Sequence, residues 1–225
     1  MSFSDGNAAI HLEMPDRVPR TEYSAEFHWS LIKKVTGIDV NTYSDEATKS
    51  RASAAFIKAW NYDFIWSILT YNHVFDGKYS RMGHAVYQEG GTDYDNRVSL
   101  LYEDPEDALS FDPWELYGSR DQKVLIAEYN GDFRNKCAQN SDAVNMTGIY
   151  VTCMSGLVEV FGWEILLAAA GIDPKGFGEL TNRYVSWIMQ YFQALSECDS
   201  PVVMIHDDIV WTSGAFFQRL VELGW

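Results

Sequence analysis

Three short apolar runs, set far apart and separated by helical segments, constrain this chain more than any other feature of it. "DFIWSILTY" covers 63–71, "NMTGIYVTCMS" covers 145–155, and "PVVMIH" covers 201–206. Each is nearly continuous in apolar residues rather than alternating, the pattern of a strand covered on both faces. Strands of that kind separated by helices pair in parallel through right-handed crossovers. The expected class is therefore α/β.

The intervening segments fill in the order. "PDRVPRTEYS" at 15–24 is read as the first extended segment, since Pro19 biases Val18 away from helix. A helix follows at 26–36, stopped by Gly37, and "DEATKSRASAAFIKAWNY" reads as a second one with Ser44 as N-cap. "RMGHAVYQEGGTDYDNRVSLLY" alternates on both sides of Gly90-Gly91 and reads as a β-hairpin excursion. Asp104-Pro105-Glu106 and Asp112-Pro113 are helix starts. Residues 119–143 are amphipathic, with a break expected around Asn130-Gly131-Asp132. Helices are expected at 156–170 and 177–197, then a strand at 202–206, a loop at 207–214 and a helix at 215–223.

No repeat, low-complexity tract or linker interrupts this order, so 1–225 reads as a single domain. It holds four buried strand positions. A (β/α)₈ barrel has eight βα units and typically about 250 residues. The expectation is either an open four-stranded sheet or the first half of a barrel lacking its C-terminal strands.

Charge and cysteine content narrow the partners. The net charge is −15, from 32 acidic against 17 basic residues, a surface that repels phosphate backbones and anionic lipid. Nucleic acid and membrane are therefore not expected partners. The longest apolar stretch, Leu157 to Ile172, is interrupted by Glu159 and Glu164 and reads as too short to span a bilayer. Cys137, Cys153 and Cys198 lack CxxC spacing, and the first twenty residues hold no apolar signal region. A reducing cytoplasm is the expected compartment.

The ordered set "DRVPRTEYS", "FIWSIL", "GHAVYQEGGTDY", "DPEDAL", "GIYVTCMSGLVEVFGWE" and "VVMIHDDI" resembles the uroporphyrinogen decarboxylase superfamily, over about residues 15 to 223. The resemblance implies a (β/α)₈ TIM-barrel type of fold with the site at the C-terminal strand ends, this chain supplying about the first half plus the hairpin excursion. The decarboxylase branch has an arginine-rich turn after its first strand. Here the matching place reads "RTEYSAEF", with Glu22 and Glu26, and Ser67 followed by Ile68 replaces that branch's aspartate after strand two. A polycarboxylate substrate would meet acid rather than guanidinium there.

The corrinoid-dependent methyltransferase branch is the better match. It implies methyl transfer between a corrinoid (methylcobamide) cofactor on a partner protein and tetrahydrofolate or a thiol. Decarboxylation of a porphyrinogen-like or other substrate, and a non-catalytic fragment or binding module, are the alternatives. Thiol-using members hold zinc through a His-x-Cys motif that this sequence lacks, so zinc would have to come through residues outside it. Open outer strands imply self-association or completion by a second chain.

On this reading Asp207, Asp208 and Glu22 are the candidate catalytic acids. Two adjacent acids after a buried strand can raise one another's pKa for acid–base work, or one can cap a following helix. Glu22 either faces the site or pairs with Arg20 or Arg17. Asn72 and His73 after the second strand, His84 in the hairpin, Cys153 and Met154 after the third, and His206 are the candidate substrate-binding residues. His206 can equally be a buried structural histidine, and Cys153 an inert buried thiol.

Overall fold

The computed structural model describes residues 1–22, 25–81, 85–88, 91–94, 98–207, 210–211 and 214–215, with only the backbone at Ser67, 85–88, 91–94, 210–211 and 214–215. It is a mixed α/β structure: a small sheet with parallel pairing among many helices. The chain forms two compact units. The first comprises Met1–Trp66, Gly83–Asn96 and Phe133–Met146; the second comprises Ser67–Met82, Arg97–Asp132 and Thr147–Trp225.

The first unit opens with α1 (Phe3–Ile10), α2 (Trp29–Thr36) and α3 (Glu46–Ala59). Gly37 ends α2 in the left-handed conformation (φ 74°), where glycine has no Cβ penalty. The cap of α3 is Asp45, whose carboxylate accepts from Thr48 N at 2.8 Å, and not the expected Ser44. Ser44 instead receives Asn41 N in the preceding turn. Ile32, Ala52, Phe56, Tyr62 and Ile65 form this unit's core.

Beyond α3 the chain enters β1 (Phe64–Thr70). Asp63, fully buried just before it, accepts from Ser2 N at 2.7 Å, from Arg20 N at 2.8 Å and from the Arg17 guanidinium. Its own amide donates to Arg20 O at 2.7 Å, and Thr21 Oγ1 donates to Phe64 O at 3.2 Å. The extended segment 17–21 is thus laid beside the start of β1.

Backbone strands β2 (Ala85–Gln88) and β3 (Gly91–Tyr94) pair antiparallel, the expected hairpin. Two proline-started helices follow, α4 (Pro105–Leu109) and α5 (Pro113–Tyr117), capped by Asp104 and Asp112 as their sequences predict. Next comes α6 (Gln122–Gln139), which runs through Asn130-Gly131-Asp132 without the expected break. A single glycine costs only about 1 kcal/mol in a helix interior, less than the flanking helix recovers.

The second unit holds α7 (Cys153–Ile172) and α8 (Pro174–Ser196). Their core is aromatic: Phe75, Tyr117 and Trp187 meet at 5.2–6.0 Å between ring centroids, and Phe111 meets Phe161 at 5.1 Å. By length and composition α7 could cross a membrane, longer than the sequence expectation, but ten of its residues are buried in this core. It bends at Gly162 (φ 72°, ψ 160°). The carbonyls just before the bend, Glu159 O and Val160 O, accept from Ser80 N at 2.9 Å and Ser80 Oγ at 2.7 Å.

Strands β4 (Val144–Ile149) and β5 (Val203–Ile205) complete a three-stranded sheet of order β1-β4-β5, with β4 and β5 parallel. All of β4 except Met146 is buried, as a doubly covered strand requires. The expected burial of the last apolar run is not found: Val203 is 37% and Ile205 55% exposed. Among the described residues β5 is an edge strand, with no strand paired to its second edge. Beyond it β6 (Val210–Trp211) and β7 (Gly214–Ala215) form a short antiparallel pair where the sequence suggested loop. The expected helix at 215–223 lies, apart from Ala215, outside the described residues.

Candidate functional site

The turn from β4 into α7 and the end of β5 bring together several of the residues picked out from sequence. Asp207 lies two residues past the end of β5. Its Oδ2 accepts from Met154 N at 3.1 Å and its Oδ1 from Ser155 N at 2.9 Å. These are orphan amides of the first turn of α7, so the carboxylate serves as a cap supplied by a distant part of the chain. Ser155 Oγ donates to Tyr150 O at 2.6 Å and accepts from Thr152 N at 3.1 Å. Thr152 Oγ1 donates to His206 O at 2.9 Å, and His206 N to Ile149 O at 3.1 Å. The two strand ends are therefore stitched across residues 149–155 and 206–207.

His206 lies half-buried with its ring stacked on Tyr150, centroids 4.5 Å apart and planes at 14°. Cys153 opens α7 half-buried; burial, and then the Asp207 carboxylate, push its thiol up. A thiol so placed stays protonated at neutral pH, the opposite of an activated nucleophile. The Met154 side chain packs on the aromatic core.

Asn72 and His73 fall in a 3₁₀ turn, Asn72–Phe75, that follows β1. The His73 ring lies 4.0 Å from Tyr71. It borders a cleft of about 270 Å³ in the second unit, walled by this turn, the start of α6, and Tyr191 of α8. Desolvation, the largest influence, lowers its pKa; Arg120 acts the same way, while Glu128 and Asp76 oppose it.

Glu22 belongs to the first unit and pairs with Arg20, at 3.0 Å from Nη2 and 3.1 Å from Nε. Arg17 is engaged by Asp63 and Asp5 instead. Glu26 is in a 3₁₀ turn whose carbonyl takes Ser53 Oγ at 2.6 Å, and burial raises its carboxyl pKa. Asp208 and His84 lie outside the described residues. Among the described residues no three His, Cys, Asp or Glu side chains converge as metal ligands.

Sequence reasoning passed over Arg120, Glu128 and Tyr191. Asp121, Val124, Leu125 and Glu128 share one helix face by i, i+3, i+4, i+7 spacing, a signal readable in sequence. Its facing partner, the turn at 72–76, is supplied only by the fold.

No family model, curated protein or solved structure matches this chain.

Proposed function

We propose that this chain carries the first four strand positions of a (β/α)₈ barrel of the uroporphyrinogen decarboxylase type, and that it serves methyl transfer between a corrinoid protein and tetrahydrofolate or a thiol. The observation that carries the fold half of this reading is the strand order. β1, β4 and β5 follow one another across the sheet in the order of the sequence, and segment 17–21 lies beside the start of β1. Barrels build their sheet that way, whereas doubly wound sheets reverse direction at a switch point.

The choice of chemistry rests on the resemblance of the quoted segments and on the acidic residues Glu22 and Glu26, which disfavour a polycarboxylate substrate. The corrinoid, held by its partner protein, supplies the methyl group. In this reading Asp207 is a positioning residue: it holds the first turn of α7, which carries Cys153 and Met154, through the Met154 and Ser155 amides. The test is to mix the full chain with methylcobalamin and either tetrahydrofolate or a thiol and follow the corrinoid absorbance. Demethylation dependent on the protein and on one acceptor is the expected result. No spectral change with either acceptor, and no binding to a methylated corrinoid protein, would overturn it.

One observation favours a second reading, a non-catalytic binding module. Both Asp207 oxygens accept backbone amides and Glu22 is held by Arg20, so both carboxylates already have partners within the protein. Corrinoid-protein binding without turnover in the same assay would select it.

A further inference from the structure

The cleft beside His73 has a chemistry of its own, independent of the reading above. From α6 and the residue before it come Asp121, Val124, Leu125 and Glu128; from the turn after β1 come His73 and Asp76. Arg120 and Tyr191 also line it. At about 270 Å³ the cleft falls just below the ~300–1,000 Å³ of clefts that take drug-sized molecules, so its occupant is smaller.

Arg120 looks at first like an anion anchor, but its donors are spent. Nε donates to Tyr191 Oη at 3.0 Å and Nη1 to Tyr117 O at 3.0 Å. Nη2 donates to Val74 O at 2.8 Å and to Asp76 Oδ2 at 3.1 Å. Four of about five donors are thus used within the protein. With Asp76 neutralising Arg120, the carboxylates of Asp121 and Glu128 remain. Asp121 Oδ1 caps α6 through Lys123 N and Val124 N. Glu128 makes no hydrogen bond or ion pair among the described residues. Desolvation, the largest influence on His73, disfavours its charged form. The surplus is negative, and it attracts a cation.

Tyr191 supplies the second point of contact. It is only 2% exposed, and its oxygen accepts from Arg120 Nε. Its own proton has no acceptor among the described residues. A buried hydroxyl proton lining a cleft is matched by an acceptor on whatever enters. Val124 and Leu125 provide an apolar wall for a short carbon chain between the two polar ends.

We propose that this cleft binds a small primary amine that also carries an oxygen acceptor, an amino alcohol or amino amide, with the ammonium at the Glu128 carboxylate and the oxygen at the Tyr191 hydroxyl. Charge-assisted hydrogen bonds hold one end and a neutral one orients the other.

The test uses the full chain and three probes of similar size, ethanolamine, n-propylamine and acetate, titrated at low salt with the His73 ring signals followed by NMR. Ethanolamine should bind about tenfold more tightly than n-propylamine, the worth of one buried hydrogen bond. Acetate should not bind. Glu128→Gln, an exposed position on α6, should weaken ethanolamine roughly tenfold while leaving the fold intact. The proposal is overturned by equal affinity for the two amines, by acetate binding, by an unaffected Glu128→Gln, or by no shift up to about 10 mM, a concentration that detects even very weak binding.

Discussion

Asp207 Oδ1 receives the Ser155 amide at 2.9 Å, a hydrogen bond that joins residues 52 positions apart and ties the end of β5 to the start of α7. Together with the Met154 contact it makes the Asp207 carboxylate a cap on the first turn of α7. An N-terminal helix turn holds partial positive charge, so a carboxylate there is favoured by the helix as well as by its two amides.

Replacing Asp207 with alanine should therefore lower stability by about 0.5–2 kcal/mol, the range for losing a helix cap. Asp207→Asn keeps one acceptor oxygen and should fall between. Urea unfolding of the three proteins measures the order. A wild-type midpoint for Asp207→Ala would show that the cap contributes nothing.

Gly156 is set by Tyr184. A Cβ at 156 would lie 1.7 Å from the Tyr184 hydroxyl oxygen, which itself donates to Thr152 O at 3.2 Å. Tyr184 is fully buried and cannot swing aside. Gly156→Ala should cost about 1–3 kcal/mol as overpacking. Adding Tyr184→Phe removes the clashing oxygen, and the double variant should recover part of that loss. A thermodynamic cycle with purely additive effects would contradict this coupling.

Ser80 serves the bend at Gly162. Besides its bonds to Glu159 O and Val160 O, its hydroxyl accepts from Leu101 N at 3.0 Å, all at a residue 1% exposed. Ser80→Ala leaves Leu101 N and Val160 O without that partner, at a cost of about 1–3 kcal/mol. Hydrogen exchange at Leu101 N should speed up in the variant, and unchanged protection there would count against the assignment.

Glu26 should make stability depend on pH. Burial, the largest influence, raises its carboxyl pKa above the ordinary 4.5, with a backbone hydrogen bond and Lys136 pulling the other way. For a group raised in the folded state, the contribution to stability is full below the unfolded value and is lost as pH rises through the folded one. Glu26→Gln should flatten the stability profile above pH 4.5 and be the more stable protein at neutral pH. Parallel pH–stability curves for the two proteins would show that Glu26 is not the source.

Local and periodic signals in the sequence determined a large part of this protein. The strands at 64–70 and 144–149, the hairpin, the two Asp-Pro helix starts and the glycine stop at 37 all act within a few residues, through backbone geometry and hydrophobic spacing. Steric and hydrogen-bonding preferences of that range are carried by the residues themselves. Tertiary structure alone decided the rest. That Asp207 caps α7 depends on where the α7 amides lie, and whether Arg120 is an anchor or a clamp depends on Tyr191, Asp76 and two carbonyls brought to it by separate elements. Likewise the apolar run at 203–205 does not reveal that one edge of its strand lacks a partner among the described residues. A charge or a donor has a role only through what surrounds it, and those surroundings come from parts of the chain that sequence distance does not connect.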